Sequence, residues 1–425
     1  MKKLNQTVDE KTVLTVGYTS PGWPLRDFPN GIVTYVQNIL IGLDINIKPI
    51  ILAAPLIGTE VKDQLIDLTK FGTNRNILQK LLFSILYRIK LPFAKSVLYR
   101  RTAAENARKI YLAIQALETP LDILEIEESF GTANSLMKMS KVPIVTRLHG
   151  PWAVIGPILN MYEEWDFKLR VLCEGQAIKN SHGVTAPSLD VLEKIREYYG
   201  FALPHAQVIP NPVPKVDIDK QWHYDANAKP LILFVGRFDA VKGGDLLLEA
   251  FRYIALKHHD VELLFVGPDR GINVEGKILM FNDYIERFIP ESGIKKRIQF
   301  LGHCDSAVIA ELRQKSLVTI VCSRYEVFSI SLVEALAAGC PTVATAVGGM
   351  KEIIINEYNG LLAEPESAVS IAEKALELIT NPVKMQALSK NAIEDCKKRF
   401  APEVVAALTV NYYRTVLNRL KPPLN

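Results

Sequence analysis

Glu326 and Glu334 stand eight residues apart within CSRYEVFSISLVEALAAGCPTVATAVGG, residues 322–349. Paired carboxylates of this kind can accept hydrogen bonds from several hydroxyls of one ligand. Between them lies Val327-Phe328-Ser329-Ile330-Ser331, small and apolar residues that can open a helix, with Ser329 or Ser331 as its N-cap. Residues 332–338 are Leu, Val, Glu and Ala, strong helix formers for the most part. Gly339 closes that helix and Pro341 stops it from continuing. Residues 317–321 read as a short buried strand. The pattern predicts Glu326 in a strand-to-helix loop and Glu334 roughly one turn into the helix. The free N–H groups at the helix start form an anion site. A ligand carrying both a phosphate and sugar hydroxyls suits this combination. A buried helix with two incidental glutamates is the plainer alternative, and the spacing alone does not separate the two.

Other polar residues fall at similar places. A strand at 231–235 runs into Gly236-Arg237-Phe238-Asp239-Ala240-Val241-Lys242-Gly243-Gly244, and a helix follows. Arg237 offers a bidentate fork and Lys242 a point charge, a pair suited to a diphosphate. Arg270 follows the strand at 261–266, and His303 follows the strand at 298–301. In the first half, His149 ends the strand at 143–148 and precedes Gly150-Pro151. A histidine there points into the ligand crevice of a parallel sheet, or merely caps the strand. Gly31 lies between the strand at 12–17 and the helix at 32–43, where it lets the backbone approach a ligand or simply opens the helix.

These placements need alternating strands and helices, and the chain supplies them in two runs. A chain of 425 residues exceeds one ordinary core. The expected division is 1–210, 211–400, and a last amphipathic helix at 401–425. The break at 208–214 (VIPNPVP) is Pro-rich, and 217–229 is polar and aperiodic. Asp217-Ile218-Asp219 has the form of a metal-holding Asp-x-Asp, but it sits in this linker and not after a core strand, so no metal site is expected. The fold class is α/β, two doubly wound domains facing a central cleft. There is no Walker phosphate loop and no Gly-x-Gly-x-x-Gly.

No apolar run approaches the ~20 residues of a membrane span. The start, MKKLNQTVDEKT, lacks the apolar core of a signal peptide, which points to the cytoplasm. The five cysteines form no Cys-x-x-Cys pair and read as small buried hydrophobes. A net charge of +4 and the lack of any supporting motif argue against nucleic acid. One segment departs from the α/β rhythm. Between residues 70 and 104 there are eight basic residues (Lys70, Arg75, Lys80, Arg88, Lys90, Lys95, Arg100, Arg101) and no acidic one. Leu81, Phe83, Tyr87, Phe93 and Tyr99 are interleaved with them. Such a segment either docks on an anionic membrane surface or packs its apolar face on the domain with its cations solvated.

Gly236-Arg237 with Lys242-Gly243, Glu326 to Glu334, Ala338-Gly339-Cys340-Pro341, Gly348-Gly349 and Asn359-Gly360-Leu361-Leu362 together resemble the donor domain of glycosyltransferase family 4. Gly31, Arg147-Leu148-His149-Gly150 and Ile209-Pro210-Asn211 resemble its first domain more loosely, and the last helix resembles the family's returning C-terminal helix. The resemblance implies a GT-B fold and a retaining transferase moving a sugar from a nucleoside-diphosphate sugar to a glycan or lipid-linked acceptor, without metal or other cofactor. It implies that Arg237 and Lys242 neutralise the diphosphate and that Glu334 holds the ribose. Glu326 would hold the donor sugar, with the backbone of Phe328, Ser329 and Ile330 near the phosphates. His149 would contact the sugar near the reacting carbon, and Arg270 and His303 would line the nucleotide pocket. Ser329 departs from the pattern, standing where the family has glycine after the Phe. A nucleotide-sugar epimerase, a sugar phosphorylase or a non-catalytic nucleotide-sugar sensor would share the architecture. The first needs an acid and base beside the sugar carbon, the second a lysine for pyridoxal phosphate, and nothing in the sequence calls for either. Turnover against mere binding separates the sensor.

Overall fold

The computed structural model describes residues 13–58, 64–72, 92–159, 161 and 165–421. The first twelve residues, and Arg75, Lys80, Arg88 and Lys90 with most of the apolar residues between them, lie outside that set.

The first sheet has strands β1 (Leu14–Ser20), β2 (Ile47–Ala53), β3 (Leu65–Asp67), β4 (Ile123–Glu127), β5 (Ile144–Arg147), β6 (Gly183–Ala186) and β7 (Gln207–Val208). They are parallel in the order β3-β2-β1-β4-β5-β6-β7. The order reverses between β1 and β4, so a crevice opens there at the carboxyl ends. Both faces are covered, which is why these strands read as apolar runs. One face packs against helices Gly31–Ile41 and Pro402–Leu420, the other against helix Pro92–Gln115.

The second sheet has β8 (Leu231–Val235), β9 (Glu262–Val266), β12 (Ile298–Gly302), β13 (Val318–Val321), β14 (Thr342–Thr345) and β15 (Leu361–Ala363), between which a separate hairpin, β10 (Ile272–Val274) and β11 (Lys277–Leu279), is inserted. The six are parallel in the order β12-β9-β8-β13-β14-β15. A tight aromatic knot of Phe238, Phe265, Phe281 and Phe300 fills one side. The last helix returns to the first sheet. There the Tyr412 hydroxyl accepts from Val184 N–H at 2.9 Å, and the Tyr413 hydroxyl donates to Glu125 at 2.8 Å.

Several expectations change in detail. The helix expected at 102–117 is described from Pro92 to Gln115. The long helix expected from 162 is preceded by a separate one, Trp152–Ile158, which ends just after Pro157. Ahead of the Pro-rich break at 208–214 the strand is only Gln207–Val208, because Pro210, Pro212 and Pro214 have no N–H for a ladder. Cys173, Cys322, Cys340 and Cys396 are buried, as small hydrophobes should be. Cys304 differs: it is half-buried and lines the cleft described next. Among the described residues no helix is long and apolar enough to cross a membrane.

Candidate active site

β8 and β13 are adjacent in the second sheet, so the loops leaving their carboxyl ends are neighbours. The first loop carries Arg237 and Lys242. Asp239 organises it, taking the Arg237 Nε–H at 2.6 Å and the Lys242 backbone N–H at 2.7 Å. The second loop carries Glu326. Arg324 ties the two together: its backbone N–H donates to Val241 O at 2.8 Å, and its guanidinium grips both oxygens of Asp245 at 2.8 Å. This bidentate clamp is half-buried, so it orders the loops more strongly than a surface pair would. Across the gap Lys242 Nζ donates to Glu326, whose same oxygen accepts from Ser323 Oγ at 3.0 Å. Gly348 completes the packing at φ +47°, where a Cβ would lie 2.2 Å from Glu326 O.

Helix Ile330–Ala337 starts directly after this loop. Ser329 occupies the N-cap position, but no side chain caps the helix. The expectation that a serine hydroxyl would do so is corrected: Ser329 Oγ faces Ser331 Oγ at 3.4 Å. The helix start is therefore left for another acceptor. Glu334 follows on the same helix. It is paired with Arg313 at 2.8 Å, a guanidinium only 9% exposed that also reaches Ser331 O at 3.3 Å. Arg313 comes from the preceding helix, Ser306–Lys315, where nothing in the sequence marks it as part of a site.

The loops frame a cleft of about 400 Å³. Gly31, Arg237, Lys242, His303, Glu326, Phe328 and Ile330 all line it, together with Cys304 and Ser331. Gly31 is its contribution from the first domain. A Cβ built there meets nothing within 4 Å, so the space before helix Gly31–Ile41 is open. His149, Arg270, Ser329 and Glu334 are not among the lining residues. Arg270 is exposed on the loop after β9, with its backbone N–H on Phe238 O at 3.0 Å. Asp217 is ion-paired with Lys220 at 3.0 Å in a short 3-10 turn. No group of three or more His, Cys, Asp or Glu is placed to hold a metal among the described residues.

His149 sits on the first domain's edge, its ring T-shaped against Tyr35 at 5.1 Å between centroids. Burial, with Arg147 adding to it, holds its pKa well below the ordinary imidazole value, so the ring is neutral near pH 7. Its backbone is held from below. The Glu128 carboxylate accepts the N–H of His149 at 2.9 Å and of Gly150 at 2.8 Å. Burial, reinforced by the Glu174 charge, pushes Glu128 up to about 8 despite those two donors. Glu174 accepts Trp152 N–H at 2.7 Å and Arg170 Nε–H at 2.8 Å. Arg147, fully buried, donates to Asn211 Oδ1 at 2.7 Å and Ile209 O at 3.0 Å and lies 4.1 Å over the Tyr35 ring. Glu128, Glu174 and Arg313 are the supports that sequence did not single out. The adjacent Glu127-Glu128 pair at a strand end was the available signal for the first.

The cleft thus gathers two cations, a carboxylate, an uncapped helix start and a glycine edge. Comparison with known proteins agrees with this picture. The family model described as Glycosyltransferase Family 4 matches residues 29–215, and Glycosyl transferases group 1 matches residues 217–395. An uncharacterized glycosyltransferase of Methanocaldococcus jannaschii is 31% identical over 287 residues, 65% of this chain and 71% of the relative. A D-inositol 3-phosphate glycosyltransferase of Xylanimonas cellulosilytica is 26% identical over 294 residues, 65% of this chain and 67% of its own length. Among solved structures, sucrose-phosphate synthase from Thermosynechococcus elongatus superposes with a TM-score of 0.68 at 18% identity, covering 96% of this chain and 100% of that one. Anabaena HepE in complex with UDP superposes with a TM-score of 0.63 at 17% identity, covering 95% of this chain and 100% of that one. The chain belongs to the family 4 and group 1 glycosyltransferases and is a sugar-transferring enzyme of the GT-B fold.

Proposed function

We propose that this enzyme moves a sugar, with retention of anomeric configuration, from a nucleoside-diphosphate sugar to a hydroxyl of a glycan or lipid-linked acceptor in cell-surface polysaccharide or glycolipid synthesis. The observation that carries this reading is the meeting of Lys242, Glu326 and an uncapped helix start in one cleft. The UDP and UDP-glucose complexes of HepE, a protein of the same fold, support a nucleotide sugar as donor. Arg237, Lys242 and the N–H groups before Ile330 receive the diphosphate, and no metal or prosthetic group enters the proposal. As the bond from the sugar's anomeric carbon to the diphosphate breaks, the electron pair leaves with the diphosphate, where these groups stabilise it. The acceptor oxygen bonds to that carbon from the same face, and its proton passes to the departing diphosphate oxygen. Glu326 accepts from the donor sugar's hydroxyls and Glu334 from the ribose, with Arg313 leaving Glu334 one free oxygen. Neutral His149 contacts the sugar beside the reacting carbon, while Arg270 and His303 flank the nucleotide. Seating of the two domains excludes water.

Peripheral attachment to the inner membrane face through the basic segment around Lys95, Arg100 and Arg101 belongs to the same reading. Of its cations Arg101 pairs with Glu105 at 3.5 Å. Co-sedimentation with phosphatidylserine vesicles checks it; binding that survives Arg88, Lys90, Lys95, Arg100 and Arg101→Glu sinks it.

A thermal-shift screen of UDP-, GDP- and ADP-sugars tests the donor site. One donor should raise the melting temperature, and Glu334→Gln should abolish that rise. Gln is the right replacement because Ala would leave Arg313 buried and unpaired. No shift with any nucleotide sugar, or equal shifts in both proteins, overturns the assignment.

A further inference from the structure

Glu326 belongs to the second domain, yet the residues on either side of it are held by the first. Tyr325 is 9% exposed and Val327 6% exposed, and both pack among Leu148, Val154, Val191 and Leu192 of the first domain. The Tyr325 hydroxyl donates to Asp190 Oδ2 at 2.8 Å. The Ser188 hydroxyl donates to Val327 O at 2.7 Å. Between these two anchors the Glu326 side chain turns the other way, to Lys242 and Ser323. Ser188 and Asp190 sit at the start of helix Leu189–Tyr199. That start is itself closed from the second domain, since the two oxygens of Glu352 accept the N–H groups of Leu189 and Asp190, each at 2.8 Å.

A strand-to-helix loop is ordinarily free to re-aim its side chains. Holding the residues before and after one position removes that freedom, because the backbone dihedrals on both sides of it are then set. The contacts here fall on the two neighbours of the carboxylate, where simple adhesion between domains would have no reason to place them. We propose that the Ser188–Asp190 turn of the first domain is a positioning element for Glu326, so that the carboxylate takes its working direction only when the two domains are seated on each other. This rests on the reading of Glu326 as a ligand of the donor sugar. It adds that the direction of Glu326 at the sugar end is set by the opposite domain, while the cations of the diphosphate end, Arg237 and Lys242, stand on a loop of the second domain.

The test uses the nucleotide sugar found in the thermal-shift screen and its parent nucleoside diphosphate, with the full-length chain. Tyr325→Phe keeps the ring and its packing but loses the bond to Asp190, and Ser188→Ala loses the bond to Val327. The double variant should transfer sugar with kcat lowered about tenfold or more, since small misplacements of reacting groups cost that much. Its Kd for the nucleoside diphosphate, which lacks the sugar, should stay within about twofold, as an unmoved diphosphate end requires. Asp190→Asn keeps an oxygen for the Tyr325 hydroxyl and should retain most of kcat, whereas Asp190→Ala should match Tyr325→Phe. Unchanged kcat in the double variant overturns the proposal, as does a parallel loss of nucleoside diphosphate binding and kcat. If the double variant melts too low to assay, the Asp190→Asn and Asp190→Ala pair decides, equal kcat in the two overturning the proposal. A wild-type protein that neither binds the nucleotide nor transfers sugar instead overturns the donor-site reading itself.

Discussion

The two edges that face the cleft handle charge in opposite ways. In the second domain the ionic groups stand at the surface of the cleft. Arg237 is 46% exposed, Lys242 25% and Glu326 13%; Arg237 is tied to Asp239 in its own loop, and Lys242 and Glu326 pair across the two neighbouring loops. In the first domain the charges lie beneath the edge. Arg147, Glu125, Glu128 and Glu174 are buried, and they hold backbone and rings in place. Burial raises the carboxyls of Glu125 and Glu174, which are held by Tyr413, with Arg147 nearby, and by Arg170. The difference is instructive. An edge that must neutralise a diphosphate needs available positive charge. An edge that presents His149 and a helix start needs rigidity, and its buried polar groups supply it only as a complete set.

The largest effect that would sharpen this contrast is on stability. Arg147→Met removes the guanidinium that serves Asn211, Ile209 and the Tyr35 ring, and leaves Glu125 without its counter-charge. A loss of about 3–5 kcal/mol in denaturant unfolding is expected, partly restored by adding Glu125→Gln. A loss below about 1 kcal/mol would show that the first edge is not held by its buried charges. Lys242→Ala should do the reverse, sparing stability and lowering kcat by about 10²–10³-fold, the cost of one donor to developing charge. Near-normal kcat would remove Lys242 from the diphosphate.

The smallest effect concerns pH. The depressed pKa of His149 means that the unfolded chain takes up a proton which the folded chain refuses. The stability it contributes is complete above the ordinary imidazole value and is lost as pH falls below it. Between about pH 6.5 and 5 the wild type should lose up to ~1.4 kcal/mol per pH unit more than His149→Asn, read from chemical unfolding at each pH. Parallel curves would place the imidazole in water and break the contrast.

The second domain was largely legible because its signals are local. β8 and the helix Ser306–Lys315 begin and end where apolar period and caps indicate. Glu326, Arg237 and Lys242 declare themselves as strand-end residues. The short strand β3 and the hairpin strands β10 and β11 were not legible. Each is three residues long, too short for a period to show, and tertiary contacts decide it.

What the amino-acid order determined by itself was the alternation of strands and helices in two runs, and hence which residues end at the carboxyl edges of two parallel sheets. Hydrophobic period and turn chemistry act within a few residues, so they are written locally. What only the tertiary structure decided was the pairing across distance: Arg313 with Glu334, Glu128 beneath His149, Tyr325 with Asp190. Those contacts join residues from 21 to 135 positions apart, and no local pattern carries them. They arise because a buried charge or hydroxyl must find a partner, and the partner is whichever group the packed sheets and helices bring beside it.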